Sequence, residues 1–237
     1  MKPYYDDGRV VIYHGDARDV AADLAPKSID LLLGDPPYGM QFISGKREGA
    51  AVLGNVKADG ARQGMRLVRE VLFNAMPAIK DDAHFYLFCH HESWPDFYDA
   101  CSSYFPVRNA LIWWKNRGGM GDCEMEYARD FEVVLYGALG RRPLAGKRSG
   151  AVIPNIAPVG SDRDHPTEKP ERLLAWLIEK SCPLDGVVCD PFLGSGATLA
   201  AAKSLGRRAI GIEIEERYCE VAARRLSQEV LQLGGAS

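Results

Sequence analysis

Apolar runs rich in β-branched and aromatic residues alternate along this chain with segments in which apolar positions recur every three or four residues. Seven of these runs predict strands, at residues 10–14, 29–34, 84–89, 110–115, 131–137, 186–190 and 208–214. The segments between them, such as residues 65–76, have the period of an amphipathic helix. Strands that alternate with helices form a mostly parallel sheet covered on both faces, so the pattern predicts an α/β fold with seven strands.

Three stretches depart from this alternation. A Gly-rich connector without helical period joins the runs at 110–115 and 131–137, which predicts an antiparallel hairpin at one edge of the sheet. Residues 39–60 and 138–164 are Gly-rich, polar and basic, and long loops of this kind in a compact domain are commonly functional. The chain shows no internal repeat and no linker, so we expect a single domain over residues 1–237.

Composition limits how this chain can bind nucleic acid. With 237 residues, 46% of them hydrophobic, the chain can bury a substantial core. The net charge of -3 gives no global basic field, so nucleic-acid contacts depend on local patches, although such charge runs are also typical of solvated loops. The basic candidates for phosphate contacts are Lys46, Arg47, Lys115, Arg141, Arg142, Lys147 and Arg148.

Cysteine usage and hydropathy indicate a cellular compartment. None of the six cysteines forms a C-x-x-C pair, and most lie in apolar runs, which is typical of buried thiols in a reducing environment. The sequence shows no leader-like N-terminus and no apolar run near the roughly 20 residues of a membrane span. We therefore expect a cytoplasmic protein without membrane contact.

The stretch LLLGDPPYG places an acid directly after an apolar strand. The carboxyl end of a parallel strand is where open α/β sheets bind ligands, which makes Asp35 a candidate binding residue. Pro36 and Pro37 lack N–H donors and hold the chain extended, while Tyr38 adds an aromatic face. Fixed acceptors beside a stacking face suit a flat ligand that carries an NH2 group. The alternative interpretation is a rigid turn with a capping Asp.

A second candidate binding loop, CDPFLGSGAT at residues 189–198, comes late in the chain. Gly194 and Gly196 permit a tight turn before a helix. Leu199 stands where a dinucleotide fingerprint would have its third glycine, and no P-loop Lys follows, so phosphate binding is disfavoured. Glu213 ends the next predicted strand and is placed to accept hydrogen bonds from ribose hydroxyls. A G-x-G turn alone is also compatible with an ordinary loop.

These two motifs and HPTEKP at residues 165–170 occur in one order along the chain. Together they resemble the β-class amino-methyltransferases of DNA, S-adenosylmethionine-dependent enzymes that methylate exocyclic amines of adenine or cytosine. The resemblance spans residues 9–226 and implies a Rossmann-like fold, circularly permuted relative to the commoner methyltransferase order. It implies a catalytic half (1–138), a target-recognition loop (139–164) and a cofactor-binding half (165–237). This loop is short for a segment that reads a DNA sequence.

The resemblance also implies roles for individual residues. The catalytic set is Asp35, Pro36, Pro37 and Tyr38. The cofactor-binding set is Asp16, Asp35, His165, Thr167, Lys169, Asp190, Pro191, Phe192, Gly194, Ser195, Gly196 and Glu213. Within it, Lys169 would pair with the methionine carboxylate of the cofactor. Asp16 would lie near the adenine, and its alternative role is a helix N-cap.

The first residue of the DPPY motif bears on the target base. The resemblance favours N6 of adenine in double-stranded DNA, with N4 of cytosine as the alternative and RNA or protein amines less favoured. It implies no metal, and it leaves open a homodimer and a cognate restriction nuclease as partners. A catalytically silent DNA-binding protein and a nicotinamide oxidoreductase are the competing classes. Trp113 and Trp114 alternate faces of one predicted strand, so at least one is expected in the core.

Overall fold

The structure is a computed structural model that describes residues 1–37, 61–90, 92–115, 124–125, 127, 130–153 and 168–228. The strands are β1 (Tyr5–Asp6), β2 (Val10–His14), β3 (Ile29–Gly34), β4 (Ile79–Cys89), β5 (Val107–Trp114), β6 (Phe131–Ala138), β7 (Val152–Ile153), β8 (Val187–Asp190) and β9 (Arg208–Glu213). The helices are α1 (Ala17–Ala22), α2 (Ala61–Ala75), α3 (Trp94–Ser102), α4 (Glu171–Ser181), α5 (Ala197–Ser204) and α6 (Glu216–Ser227), with a 3-10 turn at Met76–Ala78.

The described strands form one sheet in the order β1-β2-β9-β8-β3-β4-β6-β5-β7. Five adjacent strands, β2, β9, β8, β3 and β4, run parallel to one another. The mostly parallel α/β sheet predicted from the sequence is therefore confirmed. The sheet has two more strands than the seven predicted, because β1 and β7 span two residues each and carry no readable periodicity.

The predicted antiparallel hairpin consists of β5 and β6. Its position differs slightly from the expected edge, because β7 pairs in parallel outside β5 and forms the last strand. The inner strand β6 runs antiparallel to β4, so residues at the start of β6 lie beside the end of β4. This reversal brings the beginning of β6 to the edge where the parallel strands end.

The hydrophobic core lies on both faces of the sheet. All six residues of β3 are buried, as expected for a central parallel strand. Leu31 and Leu33 belong to the cluster that covers one face with residues of α4, α5 and α6, such as Leu177. Leu32 points to the opposite face and packs with residues of α2 and α3, such as Phe97. The central strands are thus fixed from both sides, and the loops at their ends are held in place.

At the amino end of β3 a buried carboxylate joins three parts of the chain. Asp30 is 3% exposed and accepts hydrogen bonds from Lys80 (2.8 Å) and from the N–H of Val187 (2.9 Å). Nη1 of Arg142 lies 3.2 Å from the same carboxylate. The cluster connects β3, β4 and β8 with the segment after β6. Removing one partner from a buried cluster of this kind strongly destabilises the fold.

We expect Asp30→Ala to lower the free energy of unfolding by about 3–5 kcal/mol, because Lys80 and the mostly buried Arg142 would lose the carboxylate that both bind. Urea unfolding measures this. Asp81→Ala is the matched control, since its side chain is 90% exposed and pairs only at the surface with Lys27. The control should lose less than about 1 kcal/mol. Equal losses in both variants would contradict a structural role for Asp30.

Candidate active site

The described part of the DPPY motif lies at the carboxyl end of β3, in the middle of the sheet. Asp35 directly follows the strand and its side chain is 27% exposed. Pro36 is buried, and the carbonyl of Pro37 lies so close to α2 that a Cβ on Gly64 would come within 2.5 Å of its oxygen. The close approach of α2 requires glycine at this position, and it fixes the backbone that carries Asp35.

A lysine from the other half of the chain meets this aspartate. Nζ of Lys169 lies 2.7 Å from Oδ2 of Asp35 and 3.1 Å from Oε2 of Glu132. Nζ also lies 5.0 Å from the ring centroid of Phe88, near the end of β4. Lys169 is 8% exposed, so this ammonium is almost fully removed from water. It crosses the ends of β3, β4 and β6 and ties the segment before α4 to all three.

Glu132 is the second carboxylate of this cluster. Its other oxygen, Oε1, lies 2.5 Å from Nζ of Lys115, which is one-third exposed. Burial works to raise the pKa of Glu132, but Lys169 and Lys115 outweigh it and the pKa is lowered. Burial likewise works to lower the pKa of Lys169, and Asp35 and Glu132 outweigh it and raise that pKa. Both groups are therefore charged at neutral pH.

The glycine turn lies beside this cluster at the end of β8. Gly194 and Gly196 have φ values of 55° and 87°, in the region that favours glycine. A Cβ on Gly196 would come within 2.7 Å of the Cβ of Ala222, so α6 can pack here only against glycine. A Cβ on Gly194 would meet nothing within 4 Å, which leaves open space above the turn.

Glu213 borders the same space from the end of β9. Its Oε2 accepts the N–H of Gly194 and its Oε1 accepts the N–H of Glu215, both at 2.8 Å. These two bonds fix the orientation of the carboxylate and leave each oxygen a lone pair for a further donor. An oriented acid beside an open, glycine-lined turn fits a ligand with two neighbouring hydroxyls, such as a ribose. The residues present therefore fit the predicted nucleoside cofactor.

Asp190 lies beneath the turn and is only 3% exposed. Its Oδ1 accepts the N–H of Phe192 at 2.9 Å. Burial raises the pKa of Asp190 to about 7, and the carboxylates of Asp35 and Glu213 act in the same direction. A carboxyl that is half protonated near neutral pH contributes little fixed charge, so Asp190 supports the loop through its hydrogen bonds.

Sequence reasoning missed an ion pair that fixes the segment before α4 to the glycine turn. Oγ of Ser195 donates to Oε2 of Glu168 at 3.0 Å, and Arg225 of α6 binds Oε1 at 2.6 Å. Because Glu168 immediately precedes Lys169, this pair also positions the lysine. Sequence reasoning overlooked Glu132 as well, although an acid inside the apolar run FEVVLYG was a readable signal.

Asp16 is the N-cap of α1, which is the alternative role that the sequence offered for this residue. Its Oδ1 accepts the N–H of Arg18 at 2.9 Å, and the guanidinium of Arg18 also binds the carboxylate. Arg18 lowers the pKa of Asp16. The residue before Asp16 contacts the end of β9, since Gly15 donates its N–H to the carbonyl of Glu213 at 2.9 Å. The cap therefore lies at the same edge as the glycine turn, and its contact with a cofactor stays a prediction.

The basic loop after β6 does not lie where sequence reasoning expected it. Arg142 is bound to Asp30 at the amino end of β3, about 16 Å from Asp35 at a rise of 3.3 Å per residue. Its guanidinium is engaged in that contact, so its assignment to phosphate contacts stays a prediction that this placement does not favour. The carbonyl of Lys147 accepts a hydrogen bond from Lys180 in the last turn of α4, also at the distant end.

Of the other predicted positions, some lie at the site, some lie away from it and some lie outside the described residues. Arg141 and Arg148 are exposed on the same loop as Arg142, so the structure does not bring them to the site. Lys115 is placed at the site edge but bound to Glu132. Trp113 is 4% exposed and belongs to the core, as expected for one of the two tryptophans. The predicted positions that lie outside the described residues are Tyr38, Lys46, Arg47, His165 and Thr167.

Comparison with known proteins places the chain in a family. The model of a DNA methylase family, N6_N4_Mtase, matches residues 140–224. YubD of Escherichia coli (strain K12), a protein named as a methylase, is 31% identical over 228 residues, which cover 94% of this chain and 93% of YubD. The chain belongs to the N6/N4 family of DNA methyltransferases. The cofactor of this family is S-adenosylmethionine.

Two further relatives of this N6/N4 methyltransferase differ in the base that their names specify. The DNA adenine methyltransferase YhdJ of Escherichia coli (strain K12) is 25% identical over 249 residues, which cover 91% of this chain and 82% of YhdJ. The crystal structure of the PvuII DNA methyltransferase, which is cytosine-N4-specific, superposes with a TM-score of 0.76 at 16% identity, covering 98% of this chain and 91% of PvuII. Likeness at that identity shows the shared fold.

No described helix is long and apolar enough to cross a membrane.

The raised pKa of Asp190 predicts how stability depends on pH. Its folded pKa, about 7, lies above the ordinary value of 3.8, so between these values the folded state holds a proton that the unfolded state releases. The free energy of unfolding therefore falls as pH rises from 4 to 7, because the folded state binds the Asp190 proton more tightly than the unfolded state does. Asp190→Asn should gain stability relative to the wild type over this range in urea unfolding.

Asp7→Asn is the control for this titration. Asp7 has a pKa lowered to about 2, with Lys203 and the N–H groups of Val10 and Arg9 opposing the effect of burial. Since this value lies below the ordinary one, its contribution to stability is complete above about pH 4 and lost only in stronger acid. The difference between Asp7→Asn and the wild type should stay constant from pH 4 to 7. A constant difference for Asp190→Asn as well would contradict the raised pKa.

Proposed function

We propose that this DNA methyltransferase transfers the methyl group of S-adenosylmethionine to the exocyclic N6 of adenine, at a site formed by Asp35 and the glycine turn. The observation that carries the proposal is the placement of Asp35, Lys169 and Glu213 at one edge of the sheet. The motif at residues 35–38 begins with Asp, which favours adenine in this class. The adenine-specific name of YhdJ supports the same base.

The cofactor would lie over the end of β8. S-adenosylmethionine supplies an electrophilic methyl group on a sulfonium. The carboxylate of Glu213, already oriented by two backbone N–H groups, would accept hydrogen bonds from the ribose hydroxyls. Gly194 and Gly196 allow the turn to approach the ligand closely, since neither position carries a side chain. His165 and Thr167 stay predicted neighbours of the methionine part.

The role predicted for Lys169 changes with the structure. Its ammonium is bound to Asp35 and Glu132, whereas the resemblance assigned it to the methionine carboxylate of the cofactor. We therefore assign Lys169 chiefly to orienting Asp35. Its raised pKa keeps the ammonium charged beside the acceptor, and the contact at 2.7 Å fixes the direction of the Asp35 carboxylate.

The amine to be methylated needs acceptors, because its lone pair is delocalised into the ring. Hydrogen bonds from the NH2 group to the carboxylate of Asp35 and the carbonyl of Pro36 would favour a pyramidal nitrogen. They would also stabilise the positive charge that develops as the methyl group arrives. The new C–N bond forms as the C–S bond breaks, and the nitrogen then releases one proton to water through the partly exposed Asp35. Tyr38 is predicted to stack on the base.

A duplex hides this amine, so the target nucleotide must leave the stack at a cost of a few kcal/mol. The acceptors of Asp35 and Pro36 and the predicted stacking would offset that cost. The basic loop at residues 141–148 lies at the opposite end of the sheet, at the end marked by Asp30. We therefore propose that Lys46 and Arg47, which follow the DPPY motif closely in the chain, contribute more to DNA phosphate contacts than that loop.

The product of the reaction tests this proposal directly. The purified protein is incubated with unmethylated genomic DNA and S-adenosylmethionine, and the DNA is digested to nucleosides for mass spectrometry. We expect N6-methyladenine. N4-methylcytosine would keep the Asp35 chemistry and overturn the choice of base, which the likeness to the fold of the PvuII enzyme makes the second candidate. The absence of any methylated nucleoside would contradict DNA amine methylation.

Two variants separate the acceptor from the cofactor site. Asp35→Asn should abolish product while S-adenosylmethionine still binds, because the acceptor charge is lost beside an intact glycine turn. Glu213→Ala should weaken cofactor binding by about 1–3 kcal/mol in calorimetry, the cost of losing a charged hydrogen-bond acceptor. Glu215→Ala is the matched control on the same loop, with a side chain 58% exposed, and should bind normally. Reversed results for Asp35 and Glu213 would exchange the two sites.

A further inference from the structure

Glu132 is a carboxylate of the site to which the family resemblance assigns no role. It stands at the second position of β6, in a strand otherwise composed of apolar residues, glycine and one tyrosine. Its side chain is 17% exposed and lies between two lysines. Removing a carboxylate from water costs several kcal/mol, so a buried acid persists only where cations compensate it. Lys115 and Lys169 provide that compensation from two separate segments.

The two contacts of Glu132 differ in geometry. Oε1 lies 2.5 Å from Nζ of Lys115, a short charge-assisted contact. Oε2 lies 3.1 Å from Nζ of Lys169, an ion-pair contact, and meets no other hydrogen-bond donor among the described residues. The ammonium of Lys169 is nearer to Asp35, at 2.7 Å. Glu132 therefore attracts Lys169 by charge without displacing it from Asp35.

We propose that Glu132 is a positioning residue for methyl transfer, which shares the ammonium of Lys169 so that the carboxylate of Asp35 stays oriented and strongly accepting toward the amine. This inference rests on the proposed role of Asp35, and it holds for adenine and for cytosine alike. It assigns Glu132 no contact with substrate or cofactor. The carboxylate acts only through Lys169.

Charge balance explains why one carboxylate beside Lys169 would be insufficient. Four charged groups lie in a row, in the order Lys115, Glu132, Lys169 and Asp35. They carry two positive and two negative charges. Without the charge of Glu132, Asp35 would be the one carboxylate among the described residues within ion-pair distance of the buried ammonium. The contact between Lys169 and Asp35 would strengthen, and the negative charge of Asp35 would be directed to the lysine. The hydrogen bond that Asp35 offers the amine would weaken.

The same balance keeps the proton on Lys169. Five described groups face it or its partners: Asp35 from the end of β3, Glu132 from β6, Lys115 beyond β5, the Cys89 thiol of β4 and the Asp190 carboxyl of β8. Burial works against the ammonium, and Glu132 is one of the two carboxylates that outweigh it. Loss of the Glu132 charge would therefore lower the pKa of Lys169.

Glu132→Gln tests the inference because it removes the charge and keeps the shape. The rate of methyl transfer is measured in a single turnover, with enzyme in excess over DNA that the wild type methylates. We expect a rate about ten- to a hundredfold lower, the cost of a slightly misplaced catalytic group. The affinity for S-adenosylmethionine should be unchanged, since Glu213 and the glycine turn are untouched. Glu132→Asp should restore part of the rate.

The dependence of that rate on pH separates positioning from mere stability. In the wild type the rate should stay level to about pH 10, near the ordinary lysine pKa. In Glu132→Gln the alkaline decline should begin at lower pH, because burial then dominates the titration of Lys169. Asp7→Asn is the matched control: Asp7 is a 22% exposed carboxylate paired with a lysine at 2.6 Å, outside the site. It should lose stability without any change in rate or pH profile.

Lys115→Met provides an independent test that does not depend on the folding of Glu132→Gln. Removing this cation leaves Lys169 as the one cation bound to Glu132, so the alkaline decline should move to higher pH, opposite to the effect of Glu132→Gln. Wild-type protein that makes no methylated nucleoside would refute the proposed function. Wild-type protein that is active, with Glu132→Gln matching its rate and pH profile, would refute the positioning role alone.

Discussion

The ammonium of Lys169, buried between the carboxylates of Asp35 and Glu132, is the interaction on which the site depends. Each group alone would be costly to bury, and together they are stable only in this arrangement. The lysine comes from the segment before α4, whereas the two acids come from β3 and β6. One electrostatic contact therefore joins the segment before α4 to the ends of β3 and β6, and it does so at the position proposed for methyl transfer.

Strand order explains why that meeting is possible. The late strands β8 and β9 insert between β2 and β3, which are consecutive in the chain. The glycine turn after β8 thereby lies next to the end of β3, and Phe192 packs onto Gly34, where a Cβ would come within 3.1 Å of its ring. The glycine turn, for which we propose cofactor binding, comes near the end of the sequence and yet lies at the centre of the sheet, beside the end of β3 that carries Asp35.

Much of this architecture could be predicted from periodicity and motifs, and the failures have physical causes. The strand β3 was readable because six buried residues form a continuous run before Asp35. The acid at Glu132 was readable from the sequence, but its pairing with Lys169 was not, because that contact depends on the reversal of β6. The contact of Arg142 was unreadable for a related reason: its position in a basic loop gives no sign of the buried carboxylate of Asp30 that binds it.

The protonation state of Lys169 decides whether this ion-pair cluster exists as described. NMR of the protein carrying isotope-labelled lysine, with the Lys169 signal assigned through Lys169→Arg, follows the side chain as pH is raised. We expect Lys169 to remain an ammonium up to about pH 10, near the ordinary lysine value or beyond, despite its burial. A Lys169 that loses its proton at a pH well below that of the exposed lysines would refute the ion-pair cluster, since a neutral amine could neither orient Asp35 nor be shared with Glu132.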